Sequence, residues 1–113
     1  MKVTVIEAHS SNYPNPITFE EGETLQLGKQ DTEFEGWIRV TTNDGNEGWA
    51  PIQYIEFEAG ASQGIATCSY NANELNTKLS EPLSVIKELN GWYLVSNGQG
   101  QVGWVPVQTV ETA

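Results

Sequence analysis

The sequence predicts an all-β fold made of two small five-stranded barrels in tandem. Two observations predict it. The chain is one module written twice, and its apolar residues alternate with period two in short runs, without a sustained helical period. Gly48-Trp49-Ala50-Pro51-Ile52-Gln53-Tyr54-Ile55-Glu56 returns as Gly103-Trp104-Val105-Pro106-Val107-Gln108-Thr109-Val110-Glu111. Trp37 returns as Trp92, Gly22-Glu23-Thr24-Leu25 as Ser80-Glu81-Pro82-Leu83, and Ala8 as Ala66. A repeat this long sets the fold unit.

The elements follow in order. In the first copy, strands are expected near residues 2–8, 23–30, 37–42, 46–50 and 55–57. In the second they are expected near 65–69, 82–88, 92–96, 101–105 and 109–111. Asp44-Gly45 marks a hairpin turn between the third and fourth strands, and the glycine-rich residues 96–100 mark its counterpart. Pro51 and Pro106 end their strands by removing a ladder donor, and a short tight turn should follow each. Residues 1–57 form one expected barrel and 65–113 the other. Residues 58–64, small and polar, read as a linker. Val5, Ala8, Leu25, Leu27, Val40, Ala50 and Ile55 are expected to fill the first core. Ala66, Leu83, Val85, Val95, Val105 and Val110 are expected to fill the second.

Composition narrows the function. The chain has 113 residues and a formal net charge of −10. Residues 1–58 carry eleven carboxylates against Lys2, Lys29 and Arg39. Such a chain repels phosphate backbones, which excludes nucleic acid as the expected partner. No apolar run is long enough for a membrane span. Met1-Lys2 leads straight into Val3-Thr4-Val5-Ile6 without a signal-type stretch, so a cytoplasmic location is expected. Cys68 is the single cysteine and His9 the single histidine. Neither a disulfide nor a clustered metal site is expected from them. No nucleophile elbow, phosphate-cradling loop or calcium loop is present. The reading is non-catalytic, with no cofactor.

The tryptophans carry the functional signal. Within a strand Trp49 and Pro51 share one face and Ala50 takes the other. Trp49 and Trp104 should therefore point away from the cores. Trp37 and Trp92 lead strands whose core positions are met by Val40 and Val95. Exposed indoles in small domains mark a binding surface.

These motifs together resemble the Src-homology-3 family. Ala66-Thr67-Cys68-Ser69-Tyr70 has the spacing of its Ala-Leu-Tyr-Asp-Tyr strand. Ile17-Thr18-Phe19-Glu20-Glu21-Gly22-Glu23 matches its Leu-Ser-Phe-x-x-Gly-Glu segment. Trp37-Ile38 and Trp92-Tyr93 match its Trp-Trp site. Residues 48–55 and 103–110 match its Gly-x-Ile-Pro-Ser-Asn-Tyr-Val box. The resemblance covers nearly the whole chain and implies a five-stranded barrel that grips an extended peptide on an aromatic shelf. It places that shelf at Trp37, Trp49, Pro51 and Tyr54 in copy one, with Tyr13 added, and at Tyr70, Trp92, Trp104 and Pro106 in copy two. A polyproline helix suits such a shelf, because its ridge is apolar and it has little entropy left to lose.

Some positions depart from the family pattern. The loop after the first strand is short in both copies, which resembles the bacterial branch of the family. Its acidic run is missing apart from Glu74. Asp31, Glu33 and Glu35 in the following loop of copy one are expected to select a basic ligand instead. The expected partner is thus a protein or peptide, proline-rich or basic, bound by a monomer or weak dimer acting as an adaptor. A cell-wall or glycan-binding module, and a structural pair whose tryptophans pack between the barrels, are the alternative readings.

Overall fold

The computed structural model describes residues 1–11 and 15–113. The described residues form strands, turns and two short 3-10 helices, with no α-helix. In chain order the strands are β1 (Lys2–Val5), β2 (Thr18–Phe19), β3 (Thr24–Gln30), β4 (Trp37–Thr41), β5 (Glu47–Pro51) and β6 (Ile55–Glu56). They continue as β7 (Gln63–Ala66), β8 (Tyr70–Asn71), β9 (Pro82–Leu89), β10 (Trp92–Ser96), β11 (Val102–Pro106) and β12 (Val110–Thr112). Pro51 and Pro106 are the last residues of their strands, and a 3-10 turn follows each, at Ile52–Tyr54 and Val107–Thr109. The fold is all-β, with two five-stranded sheets that form two small barrels.

The strands do not pair in repeat order. One sheet runs β5-β4-β3-β7-β6 and the other β11-β10-β9-β1-β12. β1, from the first repeat, lies between β9 and β12 of the second. β7, from the second repeat, lies between β3 and β6 of the first. The repeats have exchanged their first strands. One barrel is continuous, Asn15–Ala72, and the other is discontinuous, Met1–Pro14 with Asn73–Ala113. The expected division at 1–57, 58–64 and 65–113 is therefore not the division the pairing makes. The expected linker ends in β7, and Gly64 within it is buried. Chain proximity permits one half of this exchange. β6 and β7 form a hairpin, with Ile55 opposite Ala66 and Glu56 opposite Ile65. A six-residue connection can close such a hairpin at once, at small loop entropy.

Alternation predicts most of the two cores. Val3, Val5, Leu75, Leu83, Val95, Val105 and Val110 form the core of the discontinuous barrel, with Val85 and Tyr93 packed against it. Each fully buried valine contributes about 1.5–3 kcal/mol of transfer free energy. Ile17, Leu25, Val40, Ala50, Ile55 and Ala66 are buried in the continuous barrel. Val5 and Ala66 thus fill the barrels opposite to those expected, because their strands are exchanged. Ala8 is exposed, not core, since β1 ends at Val5. Leu27 is half-buried, beside an irregularity in the pairing of β3 with β4.

The registers give the correct equivalence of the first strands. Val3 pairs with Leu83 as Gly64 pairs with Leu25, and Val5 with Val110 as Ala66 with Ile55. Val3 corresponds to Gly64, Val5 to Ala66, and by the same step His9 to Tyr70. The equation of Ala8 with Ala66 is corrected accordingly. Backbone bonds repeat the pattern. Gly22 N donates to Ala66 O and Ser80 N donates to Val5 O, both at 2.8 Å.

Candidate ligand-binding site

In the continuous barrel, β4 and β5 set the face. Trp37 lies opposite Pro51, Arg39 opposite Trp49, and Ile38 opposite Ala50. Opposed residues share a face. Trp37, Arg39, Trp49 and Pro51 therefore stand on one side, with Ile38, Val40 and Ala50 on the core side, as alternation requires. The Arg39 guanidinium lies 5.6 Å from the Trp49 ring centroid, within cation–π range. Tyr54 closes the 3-10 turn after Pro51 and is half-buried. Its ring meets that of Tyr70 edge-on, with centroids 5.8 Å apart. Tyr70 also packs on Phe19 at 5.5 Å, where β8 pairs with β2. Tyr70, expected beside Trp92, is therefore joined instead to the Tyr54 side of the other barrel. The exchanged strand carries it there.

The discontinuous barrel repeats the frame with other chemistry. Trp92 lies opposite Pro106 and Leu94 opposite Trp104, with Tyr93, Val95 and Val105 on the core side. Leu94 stands where Arg39 stands in the other barrel. His9 takes the position of Tyr70 and meets the Trp92 ring edge-on at 5.9 Å. Its Nε2 donates to Glu74 Oε1 at 2.8 Å, with both side chains largely buried. His9 N donates to Thr77 Oγ1, and Thr77 N returns a bond to His9 O. Thr77 stands in the place of Phe19, and Thr109 in that of Tyr54. An aromatic pair in one barrel is thus a histidine–carboxylate hydrogen bond in the other. The sequence-based shelf does not include His9. The Val3-x-Val5 alternation, which ends the strand before Ala8, is the signal that finds it.

The indoles are less open than alternation alone implies. Trp37 is 8% exposed and Trp104 4%, whereas Trp49 and Trp92 are half-buried. Pro51, Pro106 and Tyr70 are also buried. Residues 73–75 lie along the strand of Trp104. Trp104 N donates to Asn73 O, and Leu75 N donates to Trp104 O. Tyr13 lies outside the described residues.

The four carboxylates expected to select charge divide into two kinds. Glu33 and Glu35 are exposed, on either side of exposed Phe34, in the loop that leads into Trp37. Asp31 builds that loop. Its Oδ1 accepts bonds from Glu33 N and Phe34 N at 2.8 and 3.2 Å. Glu74 is engaged by His9. Charge remains uneven between the barrels. The continuous one holds ten carboxylates against Lys29 and Arg39, and the discontinuous one five against Lys2, Lys78 and Lys87. No group of three potential metal-ligating side chains occurs among the described residues.

The geometry agrees with what the chain is similar to. The family model described as a variant SH3 domain matches residues 2–58, and that described as a bacterial SH3 domain matches residues 70–111. The first match includes β1, which pairs in the other barrel, and the second begins after β7. No solved structure gives a significant match.

Proposed function

Because this chain belongs to the Src-homology-3 family, as two such domains in tandem, we propose that it is an adaptor that binds an extended peptide on its continuous barrel. Domains of this family are typically binding modules, not catalysts. The observation that carries the reading is the edge-to-face pair of Tyr54 and Tyr70. It follows directly on Pro51, which shares a strand face with Trp49. Such rings bind apolar ridges at low entropic cost, since each has few torsions to fix. Glu33 and Glu35 add a preference for a basic residue in the ligand. Exposed charges of this kind act mainly on association rate and are screened by salt. The discontinuous barrel has Thr109 and His9 in place of the tyrosine pair and takes such a ligand less well.

The test is a titration of the full chain with a proline-rich peptide carrying one arginine, followed by backbone resonances. Shifts should concentrate at residues 33–37 and 49–54 and at Tyr70. The same peptide with glutamate for arginine should bind more weakly, and the difference should shrink as salt rises. Equal binding of both peptides at low salt would remove the basic preference. Absence of shifts around Tyr54 and Tyr70 would remove the site.

A further inference from the structure

The exchange of first strands has a physical code, legible at two pairs of positions. In the slot between β3 and β6 the strand presents Gly64 and then Ala66 to the core. A Cβ at Gly64 would meet Ile55 Cγ2 at 2.7 Å, Glu56 O at 3.0 Å and Phe57 Cβ at 3.1 Å. Two of these atoms belong to the backbone or its first carbon, so they cannot swing aside. A valine at that point would add two methyl groups to a space that lacks room for one. In the slot between β9 and β12 the same two positions are Val3 and Val5, each 1% exposed. They belong to one cluster with Leu75, Leu83, Val95, Val105 and Val110. Glycine and alanine there would take both isopropyl groups out of that core and leave a cavity, and cores relax only partly around such losses.

Hydrogen bonding does not distinguish the slots. Both are antiparallel on both sides, with matching registers. The β-hairpin between β6 and β7 favours one partner by chain proximity, but β1 reaches its slot across the whole second repeat. Volume is the term that differs.

We propose that each slot is a recognition surface selective for side-chain volume. The slot between β9 and β12 takes an extended segment with two branched apolar residues two apart. The slot between β3 and β6 takes one with glycine and then alanine at the same positions. The partner each selects is the first strand of the other repeat of this chain. Strand order in the sequence is overruled by packing, and neither repeat holds the strand that its own barrel requires.

The experiment uses the full chain with Cys68→Ser, which removes the native thiol. Thr4 lies opposite Glu111, and Glu56 is the counterpart of Glu111 in the first repeat. Thr4→Cys with Glu111→Cys reports the exchanged pairing through a disulfide, and Thr4→Cys with Glu56→Cys reports pairing in repeat order. The first pair should close within one molecule and the second should not. A further variant, Val3→Gly, Val5→Ala, Gly64→Val and Ala66→Val, swaps the volumes. In it the pattern should reverse, with the link to position 56 closing and that to position 111 lost. An unchanged pattern would overturn the proposal. So would a volume-swapped chain without cooperative unfolding, since the connections would then fix the partners. A link to position 111 that forms only between two molecules would overturn exchange within the chain.

Discussion

Val3 and Gly64 occupy the same place in their two barrels, Val3 opposite Leu83 and Gly64 opposite Leu25. The step between them also carries His9 onto Tyr70, and each ring meets an aromatic ring of its own barrel, Trp92 and Tyr54, at the candidate face. Each face is therefore built from both repeats. Trp37 and Tyr54 are completed by a tyrosine from the second repeat, and Trp92 by a histidine from the first. The repeat that supplies the tryptophans does not decide the chemistry of the ring beside them.

Two glycines of the repeat tolerate substitution differently. A Cβ at Gly103 would meet Leu75 N at 2.8 Å and Asn73 O at 3.2 Å, both backbone atoms. At Gly48 the nearest atoms belong to the Ile17 side chain, at 3.0 Å and beyond. Overpacking a filled site costs about 1–3 kcal/mol. Gly103→Ala should reach that range in urea unfolding, and Gly48→Ala should cost less. The opposite ranking would show that the segment at residues 73–75 yields more readily than a buried isoleucine.

Ser80 is strained where its counterpart is not. Its φ is +72°, close to the +89° of Gly22 in the equivalent turn. Left-handed backbone costs a residue with a Cβ roughly 1–2 kcal/mol. Glycine loses about 0.5–1 kcal/mol more chain entropy on folding. Ser80→Gly should therefore stabilise the chain, by up to about 1.5 kcal/mol. A lower melting temperature for the variant would mean that the hydroxyl has a role that outweighs the strain.

Alternation makes the strands, the proline stops and most core positions legible, because it is a local property. The partner of a first strand is not local. Val3-x-Val5 and Gly64-x-Ala66 both alternate, so pattern alone fits either strand to either barrel. Only the room around Gly64 separates them, and room is a property of the folded core. The shared alanine invites the match of Ala8 to Ala66, which slips the register and hides His9. Glu74 is visible as an acid, but its partner lies 65 residues away in the chain. Alternation also places Trp104 on the outer face without revealing that it is buried there.

Asp44 links the β4–β5 turn to pH. A hydrogen bond from the Thr42 hydroxyl, followed by one from Asn46 N, holds its carboxyl below the ordinary value of 3.8. A carboxylate depressed in the folded state stabilises above its unfolded value and loses that contribution as pH falls through the folded one. The stabilisation is thus complete well above pH 3.8 and fades below it. Thr42→Val removes the larger of the two causes. The amide shifts of Gly45 and Asn46 should then titrate at higher pH than in the parent chain. An unmoved midpoint would assign the depression to the backbone bonds alone.

The exchange makes an unusual demand on the binding site. If Tyr70 served the Trp92 face, as repeat order implies, Tyr70→Ala would weaken binding there. The structure instead joins its ring to Tyr54 and Phe19. Truncating an aromatic anchor at an interface typically costs about 2 kcal/mol or more. Tyr70→Ala should lower affinity for the basic proline-rich peptide by roughly that amount and should move the resonances of Tyr54 and Phe19. The Trp92 indole signal should stay where it is. Because Tyr70 is buried, part of the loss would come from a disturbed barrel. Tyr54→Ala, at a half-buried ring on the same pair, separates the two effects. If both variants weaken binding while only Tyr70→Ala lowers stability, the pair is a binding element. If Tyr70→Ala moves Trp92 and spares Tyr54, the tyrosine belongs to its own repeat and the strand exchange does not hold in solution.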